Sequence, residues 1–300
     1  MKHYYDTKAY LWLRNLFFRH IGIPYVYHKT SKYNILNSMD SIQYIIDNSC
    51  SVSRYGDGEF SVMLGGSNSF QQPNERLAKA LKEVLTSGLT NHINAIPLTL
   101  KDLSNLGDYP YFFWSNYTGR NYWRLRRYIS FKKKYLNSLF TRFYMDYVDK
   151  SNCEKQFKLL KSIWNDKDIV IVEGNQTRSG VGNDLYDNAK SIKRILGPAK
   201  NAIDKYDEML NTIKKYVNKE QLILLSYGMT ATVLAYDLAK LGYWAIDIGH
   251  IDLEYEWFLH KAKEKEIIEG KFTNEVQNGD KVIECNDPLY LSQIIVDITK

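Results

Sequence analysis

Cysteine is scarce in this chain, and no long hydrophobic run is present. The three cysteines, Cys50, Cys153 and Cys285, lie far apart and form no CxxC pair. This spacing argues against a zinc site and a disulfide framework, and it is typical of a reducing cytosol. No segment approaches the roughly 18 to 20 apolar residues of a transmembrane helix, and the N-terminus lacks the apolar core of a signal peptide. The sequence therefore predicts a cytoplasmic protein.

The composition is that of an ordinary globular protein. Of the 300 residues, 44% are hydrophobic and 25% are charged, which is enough for one large domain with a substantial core. The net charge of +6 suits an anionic ligand or a membrane surface, but it is too diffuse to predict nucleic-acid binding. Because no repeat, linker or low-complexity tract interrupts the chain, a single domain over residues 1–300 is the simplest division.

Strand-like and helical patterns alternate in the second half of the chain. Three apolar runs predict strands, at residues 168–172, 222–227 and 244–248. Each is preceded by a segment of helical periodicity, and these segments are residues 155–164, 205–216 and 230–241. This alternation predicts an α/β fold with a mainly parallel sheet flanked by helices. Ligands of such sheets bind beyond the carboxyl ends of the strands, and the unusual loops of this chain follow strands.

Two acids, Asp57 and Glu59, alternate with glycines directly after a short strand-like segment. Glycine permits close backbone approach, so both carboxylates could converge on one point. Two hard oxygen ligands suit Mn²⁺ or Mg²⁺, which keep further positions for water and substrate phosphates. Arg54 could pair with phosphate or hold Asp57 in place. The alternative is an ordinary surface turn, because Asp-Gly is among the commonest turn dipeptides.

A second candidate loop, residues 173–184, contains three glycines and Arg178. Backbone N–H groups exposed by glycines can cradle phosphate, and an arginine can bind it bidentately. Neither a Walker motif nor a dinucleotide-binding fingerprint is present. The turn at Gly228 and Thr230 adds a helix N-terminus, which is either an anion site or a structural glycine turn.

A third stretch, residues 247–257, concentrates titratable side chains after a predicted strand. His250 could be a third metal ligand through its neutral imidazole, and Asp252 or Glu254 could be a general base. The structural alternative is that these acids complement the dipole of a helix start.

Two further segments are rich in aromatic and basic side chains. Residues 1–39 predict an N-terminal helical extension, packed on its own domain or touching an anionic membrane. Residues 109–150 predict amphipathic helices with solvated basic faces, or a cap insertion over the site. Arg142 within this segment could reach an anionic ligand.

Three stretches together resemble the GT-D-fold glycosyltransferases, a family of bacterial glycan-assembly systems. The matching residues, in order, are Arg54–Glu59 with Phe70-Gln71, then Arg178–Leu185, then Gly249–Trp257. No motif is diagnostic alone, but their combination and order over residues 40–260 are specific. One departure is Tyr227-Gly228-Met229-Thr230, where the family pattern leads us to expect a Gly-Pro-Thr type of turn.

The resemblance implies a metal-dependent transferase that uses a UDP-sugar and has a Rossmann-like sheet of the GT-D type. Its metal, Mn²⁺ or Mg²⁺, would lie at Asp57 and Glu59, with His250 as the third candidate ligand. The candidates for binding the nucleotide sugar are Arg54, Arg178, Gly180, Asn183, Asp184, Gly228 and Thr230. We therefore expect sugar transfer to a glycan, lipid-linked or protein-linked acceptor in surface polysaccharide or glycoprotein biosynthesis.

Two other functions fit the same residues. A metal-dependent phosphohydrolase of nucleotide diphosphates would use acids, histidine and arginine equally well. A non-catalytic module at the inner face of the membrane would use the aromatic and basic segments.

Overall fold

A nine-stranded sheet runs through the residues that the computed structural model describes, namely 13, 16–67, 71–273 and 275–299. The strands, in chain order, are β1 (Asn34–Ile35), β2 (Ser51–Arg54), β3 (His92–Ile96), β4 (Lys134–Asn137), β5 (Asp168–Gly174), β6 (Ser191–Gly197), β7 (Leu222–Ser226), β8 (Trp244–Asp247) and β9 (Ile294–Asp297). Their order across the sheet is β1-β4-β3-β2-β8-β7-β5-β6-β9, and each neighbouring pair is parallel. The predicted fold class is confirmed.

Helices connect the strands. The α-helices are α1 (Ile23–Thr30), α2 (Ser38–Asn48), α3 (Asp57–Met63), α4 (Glu75–Thr86), α5 (Asp108–Leu125), α6 (Cys153–Lys161), α7 (Tyr206–Tyr216), α8 (Gly228–Lys240), α9 (Ile251–Leu259) and α10 (Pro288–Gln293). Asparagines begin two of them, because the side chains of Asn37 and Asn74 accept hydrogen bonds from backbone N–H groups of the first turn.

Both faces of the sheet are buried, which explains its near-continuous apolar strands. In β5, Val170 and Val172 pack into one core cluster, while Ile169 and Ile171 pack into the other. All four side chains are fully buried. Successive side chains of a strand point to opposite faces, so a strand covered by helices on both sides must be apolar throughout.

Two halves of the sheet meet where β2 pairs with β8, at Val52 and Ile246. The first half, β1 to β4, lies on one side of this pairing, and β5 to β9 complete the other side. The loops after β2 and β8 are therefore neighbours, whereas β5 is separated from β8 by β7. This order decides which of the predicted loops can share one site.

The segment 109–150, predicted as a possible cap insertion, divides into two parts. Its first part is helix α5, and its second part contains β4, which lies inside the sheet between β1 and β3. The segment is therefore not an insertion, since its strand is integral to the sheet. Strand β4 is hard to predict from the sequence because a lysine-rich run, Lys132–Lys134, leads directly into it.

The N-terminal extension packs on its own domain where it is described. Tyr27 donates its hydroxyl to the carbonyl of Thr99 at 2.8 Å and to Thr118 Oγ1 at 3.2 Å. A Cβ on Gly119 would lie 2.5 Å from the ring of Phe18, so glycine permits helix α5 to approach this segment. The part of the extension before residue 13 and the motif residue Phe70 lie outside the described residues.

Candidate active site

A cavity of about 550 Å³ lies at the carboxyl ends of β2, β7 and β8. The last residues of these strands, Arg54, Ser226 and Asp247, all line it. This is the position expected for a ligand site in a parallel sheet. Six residues singled out from the sequence are among its lining residues: Arg54, Asp57, Glu59, Arg142, Gly228 and His250.

Asp57 and Glu59 lie in the first turn of helix α3, so the predicted turn is the start of a helix. Gly56 is the N-cap residue, and its backbone N–H donates to Glu59 Oε2 at 2.7 Å. This capping interaction fixes the direction of the Glu59 side chain. Both acids line the cavity, and Tyr117 of α5 donates its hydroxyl to the carbonyl of Asp57 at 3.2 Å.

A third carboxylate, Asp247, faces the same space and was not assigned from the sequence. Burial raises the pKa of Asp247 to about 6, while Arg54 acts in the opposite direction. Burial, together with the negative charge of Asp247, raises the pKa of Glu59 to about 7. Buried acids whose pKa is raised favour a nearby cation or a proton, because either one neutralises the carboxylate. The available signal was the position of Asp247 at the end of a predicted strand.

The positive charge of the buried Arg54 partly offsets the negative charge of Asp247 and Glu59. Its Nε donates to the carbonyl of Ser138 at 2.9 Å, and its Nη1 lies 3.9 Å from Asp247 Oδ1. Among the described residues, the buried Nη1 has no hydrogen-bond partner. Arg54 thus supplies positive charge to the floor of the cavity, and its Nη1 is a buried donor.

The residues present fit a divalent cation held by few protein ligands. Asp57 and Glu59 offer carboxylate oxygens to one cavity, and Glu59 uses only Oε2 in its capping bond. In the described part of the chain, no three His, Cys, Asp or Glu side chains gather as a metal cluster. Mg²⁺ and similar ions are commonly bound by one or two carboxylates and complete their shell with water and substrate phosphates. Two carboxylates that line an open cavity match that pattern.

His250 contacts a second group of charges. Its Nδ1 lies 3.5 Å from Glu275 Oε1, and Glu275 also binds Arg142 and Lys265. Although burial acts the other way, Arg142, His250 and Lys265 hold the pKa of Glu275 well below its usual range. The structure therefore places His250 in a cation-rich corner of the cavity, facing a carboxylate.

Aromatic side chains form the outer wall of the cavity. The first turns of α5 provide Tyr109, Phe113, Trp114 and Tyr117. Aromatic faces suit the stacking of a base or the apolar face of a sugar ring. This half of the segment 109–150 covers the site as a cap would.

Arg178 points elsewhere. It is 7% exposed, and its guanidinium donates to the carbonyl of Gly270 at 2.7 Å and to the carbonyl of Ile283. These two bonds tie the C-terminal segment to the loop after β5. None of residues 173–184 is among the described residues that line the cavity.

Asp252 lies in a buried network with the same loop. Its Oδ1 accepts from Gly180 N and from Asn183 Nδ2, each at 2.8 Å, and its Oδ2 binds Lys271 Nζ at 2.7 Å. Lys271 also binds Glu256, at 2.6 Å. The residues therefore brace helix α9 against the loop, and they do not line the cavity.

Three more residues that the sequence predicted for the site are bound to, or buried in, other parts of the protein. Glu254 is buried and accepts from the backbone N–H groups of Tyr144 and Met145, at 2.6 and 2.9 Å. Asp184 binds Lys161 Nζ at 2.7 Å, and Thr230 is fully buried within α8. None of the three is among the described residues that line the cavity.

Comparisons with known proteins agree with this architecture. Residues 52–276 match the model of a protein family described as glycosyltransferase GT-D fold. Glycosyltransferase GlyD of Streptococcus pneumoniae serotype 4 is 37% identical over 261 residues, which cover 86% of this chain and 32% of that protein. The probable glycosyl transferase Gly of Streptococcus gordonii is 35% identical over 277 residues, 89% of this chain and 39% of that protein. The chain thus spans about a third of the length of these curated relatives.

Solved structures give the same result. A domain of unknown function described as having a distinct glycosyltransferase fold is 36% identical, with a TM-score of 0.86, and the match covers 92% of this chain and 99% of that one. A glycosyltransferase from Streptococcus sanguinis is also 36% identical, with a TM-score of 0.84, and the match covers 88% of this chain and 99% of that one.

Proposed function

We propose that this chain, which belongs to the glycosyltransferase GT-D fold family, transfers a sugar from a UDP-sugar to an acceptor within the cavity described above. One observation carries the proposal. Arg54, Asp57, Glu59, Gly228 and His250 come from separate parts of the sequence, and all of them line one cavity at the carboxyl ends of three neighbouring strands.

The donor would lie with its diphosphate towards the acids and its flat groups against the aromatic wall. Asp57 and Glu59 would hold Mn²⁺ or Mg²⁺, which supplies positive charge for the departing UDP when bound. The N-terminus of the 13-residue helix α8 opens on the cavity at Gly228 and Met229, so its backbone dipole favours an anion there. The wall from α5 would exclude water from the reacting bond.

We do not propose Asp252 or Glu254, the two candidates from the sequence, as the general base. Their carboxylates accept hydrogen bonds from backbone and side-chain donors, and neither residue is among the described residues that line the cavity. We propose instead that the base is one of the titratable side chains that line the cavity.

Substitution of the two acids tests the proposal. We expect Asp57→Asn and Glu59→Gln to remain folded, to lose the Mn²⁺-dependent part of UDP binding, and to lose most of their transfer activity. Asp108→Asn is a matched control, because Asp108 is the first residue of α5 as Asp57 is of α3. Full transfer activity in EDTA, or in Asp57→Asn, would contradict the metal role.

A turnover assay separates sugar transfer from hydrolysis of the UDP-sugar. UDP-sugar turnover is measured with and without an acceptor glycan. A transferase requires the acceptor for rapid turnover, whereas a phosphohydrolase needs only water. Acceptor-independent cleavage at the full rate would favour the hydrolase.

We also propose that the N-terminal helical segment contacts an anionic membrane surface. Four large apolar side chains four residues apart, Leu13, Phe17, Ile21 and Tyr25, are 47–61% exposed. Arg19 and Lys29 lie in the same segment, and apolar and basic residues together are typical of interfacial helices. In the described residues no helix is long and apolar enough to cross a bilayer. Flotation with anionic vesicles should succeed for the wild type and fail for Phe17→Ser/Ile21→Ser.

A further inference from the structure

Glu275 is held inside the cavity like a bound anion. Its two carboxylate oxygens each lie 2.8 Å from a different terminal nitrogen of Arg142, a bidentate arrangement. Lys265 Nζ lies 2.7 Å from Oε2, and His250 Nδ1 lies 3.5 Å from Oε1. All four side chains line the same cavity as Asp57.

The exposure of this cluster distinguishes it from a structural ion pair. The Arg142, Lys265 and Glu275 side chains are 20%, 29% and 18% exposed. By contrast, Lys271 and Asp252 are each 4% exposed and are sealed from any ligand. A solute can therefore reach these side chains, although their bidentate geometry makes the pairing stronger than that of an ordinary surface ion pair.

A diphosphate is a stronger partner for these cations than a carboxylate. Arginine binds phosphate and carboxylate oxygens with the same fork geometry, and a diphosphate carries more charge and more acceptor atoms. The other guanidinium at the cavity, Arg54, already faces Asp247, and Arg178 is bound to backbone carbonyls elsewhere. Arg142 and Lys265 are thus the cations that a phosphate could recruit by displacing Glu275, and Lys265 also pairs with Asp146 at 3.4 Å.

We propose that Arg142, Lys265 and His250 form the subsite for the diphosphate of the donor, and that Glu275 occupies this subsite until the donor replaces it. Glu275 is then an internal competitor of the donor. The inference rests on the proposed function, because it identifies the anion-binding part of the same cavity. Removing the negative charge of Glu275 should strengthen anion binding, whereas removing Arg142 should weaken it.

Calorimetry with inorganic pyrophosphate and with UDP, without added divalent ion, tests this proposal. Glu275→Gln should bind both anions at least about threefold more tightly than the wild type, because the pair that an anion must displace is stronger than an exposed surface ion pair. Glu284→Gln is the matched control, because Glu284 lies on the same segment and is exposed, and its affinity should not change. Arg142→Gln should bind both anions about tenfold more weakly, and adding Glu275→Gln to it should restore little.

The outcomes are distinguishable from those of the proposed function. Equal or weaker pyrophosphate and UDP binding in Glu275→Gln would overturn the inference and leave UDP-sugar transfer standing. Tighter pyrophosphate binding without any UDP binding would support the subsite and overturn the donor assignment. If Glu275→Gln does not fold, Glu275→Asp replaces it, since shortening the side chain should break the bidentate contact and tighten anion binding to a smaller extent.

Discussion

Gly249 and Arg54 are in such close contact that a Cβ on residue 249 would lie 2.0 Å from Arg54 Nη1. Gly249 also has a φ of 49°, in the left-handed region. The residue directly before the cavity-lining His250 must therefore be glycine for two reasons, backbone conformation and the space that Arg54 occupies. This contact joins the loop after β8 to the end of β2.

The first prediction concerns Gly249→Ala. The new methyl group should displace the Arg54 guanidinium from the cavity floor and weaken UDP binding by about tenfold, as for one lost charge-assisted hydrogen bond. The control is Gly242→Ala, which has a φ of 81° but meets nothing closer than Lys219 Nζ at 3.7 Å. Both variants should lose stability in thermal unfolding, but only Gly249→Ala should lose affinity in calorimetry. Equal affinities would show that the position of Arg54 does not matter for the donor.

The second prediction is a pH dependence caused by Glu59. Its pKa in the folded protein is raised to about 7 from 4.5. A raised pKa means that the folded state favours the protonated acid, so its contribution to stability is complete below pH 4.5 and is lost as the pH rises through about 7. Without metal, Glu59→Gln should therefore match the wild type at low pH and exceed it at pH 8 by on the order of 1–3 kcal/mol.

Thermal unfolding in EDTA across this pH range measures the difference. Glu83→Gln, a change at an exposed position of α4, should show a curve parallel to that of the wild type. A constant offset between Glu59→Gln and the wild type at every pH would argue against the raised pKa.

The third prediction separates structure from binding at Arg178. Arg178→Ala should lower the free energy of unfolding by about 2–4 kcal/mol, because two buried carbonyls lose a charged donor. UDP affinity of the folded variant should stay within about twofold, well below the cost of a lost charge-assisted hydrogen bond. Arg76→Ala is the control, because its ion pair with Asp207 is more than half exposed and should contribute little. A stable Arg178→Ala protein with strongly weakened UDP binding would restore the phosphate role expected from the sequence.

The fourth prediction concerns Asp252. Asp252→Asn should destabilise the protein by about 2–4 kcal/mol in chemical denaturation, because Lys271 keeps only Glu256 as a counter-charge. Adding Lys271→Met should recover part of the loss, since the buried cation is then removed as well. If Asp252→Asn were fully stable but inactive with acceptor, a direct role in catalysis would have to be reconsidered.

The sequence by itself determined the elements and the position of the acids. The apolar runs of β5, β7 and β8 are predicted within two residues of their observed bounds, because strands buried on both faces must be apolar throughout. Asp57 and Glu59 follow a strand in a chain that alternates strands and helices, which already places them at the ligand edge. The fold family could also be identified from the order of three short motifs.

Only the tertiary structure decided which loops share the cavity. Asp252, for example, accepts a hydrogen bond from Gly180 in the loop that contains Arg178, and neither Asp252 nor Arg178 lines the cavity. Strand order is set by packing between distant segments, and local periodicity contains no record of it. The same reason explains why Asp247 and Glu59, which line one cavity, and Glu275 and Arg142, which form an ion pair, could not be grouped from the sequence: the members of each pair lie more than 130 positions apart.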